Sequence, residues 1–468
     1  MQHYPMITIK NPDIPIMKVL GTQKEAKPPL RFLRYLLPMP CSQGILAANL
    51  LTGGLYLFDE KEYEAVEKLC ADPAADADAE PVSTFLQKWI LVPEYANDRQ
   101  IADGVRSLLR MLDRDKSINS YTILPTTACN ARCAYCYEAQ ARWGYMDEKT
   151  AEKLADFITD NANGNKVTIT WFGGEPTLAA DRIDLICRKL KGNNTGFTSR
   201  IVSNGLLLTK EMAVKARDEW NVTKAQITLD GTAENYNRIK NYRGNIKDAF
   251  SVVVNNIEDM LETGLRVAVR LNVCPDNAAD MHELAEELAA RFRGKTGISI
   301  YSALVFEDSL TSLPGTDTAR KNYDLIRSLD EKLYSLGYGK GNEGKLKLAR
   351  YHCMADNPHA LTVSPDGGLG KCEHETWDDV AGSIFGSFDV SKASKKWQEM
   401  QTCDALCNDC TLYPTCVRQK NCFAYQVPCG DERKRYRTWK KKCRAFTLLE
   451  QYNNGKKEEN EDNPEDPG

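Results

Sequence analysis

Three cysteines, Cys129, Cys133 and Cys136, lie close together with three and then two residues between them, and an aromatic residue, Tyr135, precedes the third. Cysteine thiolates are the usual protein ligands of iron–sulfur clusters. A cubane cluster holds four irons, so three thiolates leave one iron without a protein ligand. An open position of this kind separates catalytic metal sites from closed structural ones. The spacing therefore predicts a cluster that binds a substrate or cofactor at its free iron, and a zinc-binding loop is the alternative.

Polar and glycine residues follow three strand-like runs further along the chain. They are Gly173, Gly174, Glu175 and Pro176 after the first run, Ser203 and Asn204 after the second, and Thr228 and Asp230 after the third. Glycine lets backbone groups approach a ligand closely, because no Cβ intervenes. The Glu175 carboxylate is expected to fix its loop and Pro176 to stiffen it. In α/β barrels the site lies at the carboxyl ends of the strands, so these residues should line a pocket beside the cysteine loop.

A second group of thiols lies near the C-terminus. Nine of the sixteen cysteines fall between Cys353 and Cys443. In a reducing compartment, such cysteines indicate metal binding or catalysis rather than a disulfide framework. The members are Cys353, Cys372, Cys403, Cys407, Cys410, Cys416, Cys422, Cys429 and Cys443. Cys187 and Cys274, outside this group, are predicted to be core thiols.

The elements that must position these residues alternate regularly. Strand-like runs are predicted at residues 121–127, 167–171, 200–202, 225–229, 266–273 and 298–301, and helices around 148–162, 179–191, 209–220, 246–263, 279–293 and 318–336. Six consecutive strand–helix units imply a parallel sheet with crossover helices. The cysteine loop and the polar segments above fall at strand ends of this α/β unit.

Taken together, the cysteine spacing and the Gly173–Pro176 segment resemble the motifs of radical S-adenosylmethionine (SAM) enzymes. The resemblance implies a partial (β/α)6 TIM barrel over residues 119–336, with a 4Fe-4S cluster on the three cysteines and SAM at its open iron. Reductive cleavage of SAM would yield a 5′-deoxyadenosyl radical. It further implies that Tyr135 and the strand-end residues shape the SAM pocket. Arg243 is the preferred partner for the methionine carboxylate, with Arg238 and Arg270 as alternatives.

The C-terminal cysteines, at residues 345–450, resemble the SPASM extension of these enzymes, which holds two auxiliary 4Fe-4S clusters. That resemblance assigns Cys353, Cys372 and Cys422 to the first auxiliary cluster, and Cys407, Cys410 and Cys416 with Cys443 or Cys429 to the second. The spacing from Cys416 to Cys422 departs from the family pattern. The fourth ligand of the first cluster is therefore open: Cys403, Cys429, or no residue, in which case a substrate thiolate would fit. A pair of zinc knuckles is the alternative for this segment.

Polar residues flank the auxiliary cysteines. In sulfatase-maturing relatives a carboxylate directly after the equivalent of Cys372 serves as a base, and Glu373 occupies that place; a solvated carboxylate is the alternative. His352 and His374 are further candidate ligands.

The two ends of the chain complete the predicted organisation. Residues 1–118 are similar in order of elements to the winged-helix-like domain that holds a leader peptide as an added strand; a structural cap on the barrel is the alternative. Residues 451–468 are polar, acidic and contain proline, and are expected to be a disordered tail.

The composition excludes several classes of protein. The chain of 468 residues carries a net charge of −4 and 42% hydrophobic residues, so no general signature for nucleic acid is present. No apolar run is long enough to span a membrane. No secretion signal begins the sequence, and a cytoplasmic location is expected.

These patterns predict a maturase that crosslinks a ribosomally synthesised peptide (RiPP) through a thioether or carbon–carbon bond. Its expected partners are a precursor peptide with a leader sequence and an electron donor such as flavodoxin or ferredoxin. The alternatives are a sulfatase-type maturase that oxidises Cys or Ser to formylglycine, and a zinc-binding scaffold or nucleic-acid adaptor without enzymatic activity.

Overall fold

The computed structural model describes residues 6–461 except for 24–25, 71, 73–75, 141–143, 245, 306–315, 340–343, 375–381, 399–406, 417–421 and 423–428. Side chains of 139–140, 316–321 and 456–461 are also outside the description. Cys403 therefore lies outside the described residues. None of the helices in the described part is both long and apolar enough to cross a membrane.

The central segment contains the six predicted strand–helix units. Its elements are β7 (Ser120–Ile123), α5 (Glu148–Ala162), β8 (Val167–Trp171), α6 (Ala180–Gly192), β9 (Phe197–Ser203), α7 (Lys210–Asp218), β10 (Val222–Leu229), α8 (Ala233–Lys240), α9 (Ala249–Glu262), β11 (Arg266–Val273), α10 (Ala278–Arg291), β12 (Ile298–Leu304) and α11 (Thr316–Ser335). Asp147, Thr209 and Asp248 accept backbone hydrogen bonds at the starts of α5, α7 and α9, which fixes where these helices begin.

Strands β7 to β12 pair in parallel and in sequence order. One face of this sheet packs against the helices: Ile169, Ile201 and Val269 are fully buried in a common core. The opposite face carries polar side chains at the intervening positions, and several of them are accessible. Alternation of this kind leaves a polar surface on the inner side of the sheet, where a substrate can be held.

The C-terminal segment extends this sheet. Its elements are β13 (Ala360–Val363), β14 (Gly368–Gly370), β15 (Gly382–Ser383), α12 (Val390–Lys395) and α13 (Asp431–Glu461). Strand β13 pairs in parallel with β7, so the sheet has nine strands in the order β12-β11-β10-β9-β8-β7-β13-β14-β15. The first strand of the barrel is therefore an interior strand, which the motif pattern does not predict.

Helix α13 is longer than expected. It continues through Glu461, so the prediction of disorder from residue 451 is wrong over the first part of that segment. Lys440 on this helix forms a 3.0 Å ion pair with Asp330 of α11, and Asp330 is fully buried. This contact anchors the helix to the barrel. Residues 462–468 lie outside the described part.

The front segment contributes a separate sheet. Its elements are β1 (Ile7–Lys10), α1 (Ile14–Leu20), β2 (Leu30–Phe32), β3 (Leu36–Cys41), β4 (Gly44–Asn49), β5 (Leu55–Phe58), α2 (Glu60–Cys70), α3 (Val82–Gln87), β6 (Leu91–Pro93) and α4 (Asp98–Met111). Four antiparallel strands pair in the order β1-β5-β4-β3, and β2 pairs with β6.

The front sheet shares its core with the C-terminal segment. Leu46 and Leu55 belong to one buried cluster with Leu348, Leu412 and Ala445. The front segment therefore packs onto the end of the chain through this cluster, while a second buried cluster, with Phe58 and Phe85 among its members, lies wholly within the front segment. Its winged-helix-like character and its leader-binding role stay predictions.

Candidate active site

The cysteine loop at residues 129–136 lies at the carboxyl end of β7 and is held by backbone hydrogen bonds. The Arg132 amide donates to the Lys240 carbonyl at 2.9 Å, and the Arg243 amide donates to the Asn130 carbonyl at 2.8 Å. The Cys136 amide closes the loop on the Cys133 carbonyl at 3.1 Å. The turn after α8 therefore fixes the shape of the loop.

The chemistry of these three thiols fits a cluster. Burial is the largest cause that raises the pKa of Cys129, to about 11, and the pKa values of Cys133 and Cys136 are raised by burial as well. A positive metal centre would stabilise the thiolate forms that burial disfavours. Within the described ranges no three His, Cys, Asp or Glu side chains converge as a single metal ion would require. A four-iron cluster takes its ligands on separate irons.

The two glycines of the predicted SAM motif pack against the cysteine loop. A Cβ on Gly173, whose φ is +108°, would lie 2.3 Å from the Thr126 carbonyl oxygen. A Cβ on Gly174 would lie 2.3 Å from the Ala128 carbonyl oxygen. Glycine is thus required here by the close approach to the backbone that leads into the loop, and the approach of these glycines to a ligand stays a prediction.

Glu175 fixes its own loop through Thr177 and also joins the ends of two strands. Its carboxylate is fully buried and accepts hydrogen bonds from Thr177 Oγ1 at 2.6 Å, Ser203 Oγ at 2.9 Å and the Asn204 amide at 2.9 Å. Burial raises the pKa of this carboxyl, and the hydrogen bonds oppose that effect. Pro176 begins a short 3-10 helix directly after it. The Glu175 carboxylate therefore sets the spacing of the ends of β8 and β9.

Asn204 connects this assembly to the cysteine loop. Its Nδ2 donates to Asn130 Oδ1 at 2.6 Å and lies 3.9 Å from Cys129 Sγ. The residues at the end of β9 thus reach the first thiol of the loop.

A buried ionic network occupies the ends of β10 and β11. Asp230 is fully buried; its Oδ2 lies 2.8 Å from Lys240 Nζ, and its Oδ1 accepts from the Tyr135 hydroxyl at 2.7 Å and from Asn272 Nδ2 at 3.0 Å. Lys240 Nζ also donates to Thr228 Oγ1 at 2.8 Å. Tyr135, Thr228 and Asp230, predicted from the sequence, are therefore brought together.

Lys240 and Asn272 are the residues that the sequence reasoning missed. Lys240 is 3% exposed although it lies near the end of a polar helix, α8, where lysine normally indicates a solvated face. Its position beyond the Thr228–Asp230 strand end is the only sequence signal for its role. Asn272 lies near the end of β11. A polar residue at a strand end is the same signal that predicted Asp230, so Asn272 could have been predicted in the same way.

The three candidate arginines lie in different places. The backbone amide of Arg243 bonds to the cysteine loop, so this residue lies beside the loop. Arg238 on α8 bonds Asn235 at an exposed position. Arg270 lies on the inner face of β11, aligned with Thr228.

Three C-terminal thiols, Cys353, Cys372 and Cys422, affect one another electrostatically, and their assignment to one cluster stays a prediction. Burial raises the pKa of Cys353 to about 11, and the nearby Cys422 thiol adds to this rise. Burial, Glu373 and the thiols of Cys353 and Cys422 all raise the pKa of Cys372. The three residues come from separate loops, so only the tertiary fold brings them together.

The loop that carries Cys353 is held by Asp356. Its carboxylate accepts from the Cys353 amide at 3.1 Å, from the His352 amide at 2.8 Å and from Arg110 Nη2 at 2.7 Å. The His352 Nδ1 atom also lies 2.7 Å from Asp356. His352 is thus engaged through Nδ1, and the front segment contributes to this loop through Arg110.

A second group of thiols includes Cys410, Cys416 and Cys429. Burial raises the pKa of Cys410, and the nearby thiols of Cys416 and Cys429 add to the rise. Cys407 lies three residues before Cys410, and the Cys410 amide donates to its carbonyl at 3.2 Å. Cys443 lies on α13. The charge of Cys429 thus reaches Cys410, and the choice between Cys429 and Cys443 as the fourth ligand stays open.

The front segment holds the loop between Cys407 and Cys410. Arg34 Nη1 donates to the Asn408 carbonyl at 2.6 Å and pairs with Asp409. Arg99 Nη1 donates to Asn408 Oδ1 at 2.6 Å. The front segment thus positions a predicted cluster loop that lies far away along the chain.

Glu373 and His374 lie between the two thiol-bearing regions. The His374 ring contacts the ring of Tyr137, with 3.8 Å between centroids, and Tyr137 directly follows Cys136. Burial lowers the pKa of His374 to about 4, with Arg270 adding to the effect. Burial raises the pKa of Glu373, while Arg200 of β9 opposes that rise. Glu373 therefore faces the inner side of the sheet rather than bulk solvent.

Comparison with known proteins agrees with this arrangement. The model of the radical SAM superfamily matches residues 123–288. Fe-coproporphyrin III synthase of Methanosarcina barkeri is 25% identical over 217 residues, which cover 46% of this chain and 52% of that protein. Sporulation killing factor maturation protein SkfB of Bacillus subtilis is 25% identical over 178 residues, covering 37% of this chain and 41% of that protein. The chain thus spans about half or less of the length of these relatives.

A solved structure of anSMEcpe with bound AdoMet superposes with a TM-score of 0.56 at 18% identity, covering 72% of this chain and 99% of that one. The same protein with bound AdoMet and a Cp18Cys peptide gives a TM-score of 0.51 at 17% identity, with the same coverage. These likenesses show a common α/β fold with a mostly parallel sheet. Together with the family match and the geometry of the cysteine loop, they identify residues 123–288 as a radical SAM domain.

Proposed function

We propose that this protein is a radical SAM peptide maturase that crosslinks a ribosomally synthesised precursor peptide. The observation that carries this proposal is the position of Glu373 and His374. Their loop follows Cys372 and contacts Tyr137, which follows the last cysteine of the SAM-cluster loop. A substrate on the polar inner face of the sheet would thus lie between the cluster that starts the radical reaction and the first auxiliary thiol group.

Two relatives support a peptide as the substrate. SkfB is named a maturation protein for sporulation killing factor, and anSMEcpe is solved with bound peptides. The relative from Methanosarcina barkeri is named a synthase of Fe-coproporphyrin III, so the domain match alone does not decide the substrate. The contact between the two thiol-bearing regions suits an oxidation that removes two hydrogens from the substrate, as crosslinking does, because the second electron then needs an acceptor.

In this proposal the residues of the chain have separate tasks. Cys129, Cys133 and Cys136 hold the first 4Fe-4S cluster, while Glu175, Asn204 and Asp230 keep the surrounding strand ends at a fixed spacing. When bound, the cluster and SAM supply a 5′-deoxyadenosyl radical that takes a hydrogen atom from the substrate.

Glu373 is the proposed base of this reaction. After hydrogen abstraction its carboxylate takes a proton from the substrate, a task that the raised pKa of a buried carboxyl suits. Burial is the main cause of that raised pKa, and the Arg200 guanidinium keeps it from rising further. The proton is thus held close to the first auxiliary thiol group, on the side of the loop that faces the substrate space.

The C-terminal thiols hold the two auxiliary clusters in this proposal. Cys353, Cys372 and Cys422 bind the first, and its remaining position suits a substrate thiolate, so cysteine-rich precursors are the first choice. Cys407, Cys410 and Cys416 bind the second, together with Cys429 or Cys443. The front segment brings the precursor through its leader sequence.

The test combines metal analysis with a peptide assay. Anaerobically reconstituted protein should hold about twelve irons per chain if three four-iron clusters form. With SAM, dithionite and short cysteine-containing peptides encoded beside the gene, each crosslink should remove a pair of hydrogens from the peptide mass. Colourless protein that holds zinc instead of iron would contradict the proposal and favour the scaffold alternative.

A sulfatase-type maturase is the second candidate, because anSMEcpe shares the fold over most of its length. The same assay separates the two. A formylglycine product carries an aldehyde that reacts with hydrazides, whereas a crosslinked peptide does not react and resists sequencing between the joined residues.

A further inference from the structure

The inner face of the barrel sheet carries an arginine without a described partner. Arg270 lies on β11, and its Nε is buried with no hydrogen bond. The side chain as a whole is partly buried, and among the described residues no ion pair includes its guanidinium, although a shielded N–H group is normally hydrogen-bonded. A cation held in this way indicates that an anionic group is to be bound there.

A second arginine faces the same space. Arg200 on β9 is fixed by a 2.7 Å hydrogen bond from its Nε to Thr170 Oγ1 of β8. This bond uses only one of the five N–H groups of the side chain. The residue remains accessible on the polar face, so the rest of its guanidinium is available to a ligand.

Strand β10 lies between the strands that carry the two arginines, and β12 lies on the other side of β11. Gln226 on the intervening strand accepts a 2.8 Å hydrogen bond from the Tyr301 hydroxyl. Tyr301 is the register partner of Arg270. Burial raises the pKa of Tyr301, and the charges of both Arg270 and Arg200 oppose that rise. The charges of both guanidinium groups therefore reach the Tyr301 hydroxyl, with Arg200 at the level of Lys224 and Arg270 at the level of Thr228 on the strand between them.

Arg270 lies deeper in the barrel than Asp230 and Asn272 at the strand ends, although its register partner Thr228 belongs to the predicted SAM pocket. Asn272, two residues further along β11, contacts Tyr135 and Asp230 at the strand end. Because alternate residues of a strand point to the same face, Arg270 lies one step further into the barrel than Asn272. Glu373 and His374 are the titratable groups that approach these arginines from the Cys372 loop.

We propose that Arg270 and Arg200 form a subsite for a carboxylate of the substrate, so that the modified segment of the peptide carries an acidic residue. This inference rests on the proposed peptide maturase function. Arginine suits the task because its planar guanidinium binds a carboxylate through two parallel hydrogen bonds. SAM also carries a carboxylate, and the experiment must separate the two sources.

The first measurement is independent of turnover. Reconstituted protein is treated with phenylglyoxal, and modification of Arg270 and Arg200 is mapped by mass spectrometry. N-acetylglutamate methylamide should slow modification of Arg270, whereas N-acetylglutamine methylamide and SAM alone should not. Arg291, which bonds Glu258 on the outer surface, is the internal control. Protection by SAM alone, or equal modification with every probe, would overturn the proposal.

The second measurement uses an accepted precursor peptide. Replacing its acidic residue by the amide should lower kcat/KM about tenfold with the wild-type protein, and Arg270→Gln should remove that difference. Arg270→Lys, which keeps the charge and much of the length, should retain part of the discrimination. SAM affinity should be unchanged in both variants, and an about tenfold loss would instead assign Arg270 to SAM.

The two measurements distinguish the possible failures. If no peptide is turned over but the glutamate probe still protects Arg270, the peptide maturase function fails while the carboxylate subsite stands. If peptides are crosslinked with the same kcat/KM whether or not they carry the acidic residue, only the proposed carboxylate subsite is wrong.

Discussion

The SAM-cluster loop and the C-terminal thiol group are built in opposite ways. Cys129, Cys133 and Cys136 lie on one short loop, and its hydrogen bonds come from Asn204, Lys240 and Arg243 of the same domain. The C-terminal thiols come from loops that are far apart along the chain. Contacts from the front segment, at Arg34 and Arg110, hold two of those loops.

This difference shows that the radical site is held by the barrel domain alone, whereas the C-terminal thiol group depends on other parts of the chain. The radical site is a local motif placed at the ends of parallel strands, so the sheet that forms the barrel also forms the site. The auxiliary site requires the two ends of the chain to pack together, because the shared core joins Leu46 and Leu55 to Leu348 and Leu412. Changes in the front segment should therefore affect the auxiliary clusters more than the radical site.

The sharpest test of the comparison removes the first thiol of the radical site. Cys129→Ala should lower SAM cleavage to background and remove about four irons per chain, because a four-iron cluster loses one of only three protein ligands. Iron analysis and release of 5′-deoxyadenosine measure the two effects. Cys41→Ala, at the end of β3 and outside every predicted cluster, should change neither. Normal SAM cleavage by the Cys129 variant would contradict the assignment.

The matching change in the other region should separate the two activities. Cys372→Ala should remove about four irons and abolish peptide crosslinking, while SAM is still cleaved without a coupled product. The reason is that the first cluster keeps its own ligands in the barrel. Peptide mass and 5′-deoxyadenosine are measured in the same reaction. Simultaneous loss of both activities would mean that the two regions are not independent.

The third test addresses the stability of the radical site. Lys240→Met leaves the Asp230 carboxylate buried without its ammonium partner, and we expect the free energy of unfolding to fall by about 3–5 kcal/mol. Lys240→Met combined with Asp230→Asn should recover much of the loss. Denaturant unfolding measures both variants. Lys210→Met, which removes an exposed ion pair with Glu262, is the control and should have little effect.

The smallest expected effect concerns the junction between front and C-terminal segments. Arg34→Ala removes a hydrogen bond to Asn408 and the ion pairs with Asp409 and Asp98. Asp98 keeps its 2.8 Å ion pair with Arg31, and the partly exposed position of Arg34 limits the stability loss to about 1 kcal/mol or less. Iron should nevertheless be lost faster to a chelator, because the loop between Cys407 and Cys410 is less restrained. SAM cleavage should stay unchanged. Faster loss of iron from the radical site instead would contradict the conclusion that the front segment supports the C-terminal thiol loops rather than the radical site.

Much of the fold could be predicted because its signals are periodic. The six strand–helix units appear where alternating and helical patterns indicate them, and the polar residues Glu175, Asn204 and Asp230 lie at strand ends as expected. Lys240 was not predictable in the same way. A lysine on a polar helix is normally solvated, and only the packing of α8 over the strand ends buries it next to Asp230.

The two ends of the chain were the least predictable. Composition indicated disorder from residue 451, yet α13 continues through Glu461, and Asn453 Nδ2 donates a 3.3 Å hydrogen bond to Gln43 Oε1 of the front segment. Helical structure in that polar segment depends on tertiary contacts, since a helix without a buried face is marginal alone.

The sequence by itself determined the chemistry of the radical site, because three thiols and a strand-end pocket are specified by residues close together in the chain. Only the tertiary structure decided which C-terminal thiols meet, how the front segment holds their loops, and where Arg270 and Arg200 lie on the inner face. The physical reason is that these arrangements depend on contacts between residues far apart in the chain, for which no local pattern exists.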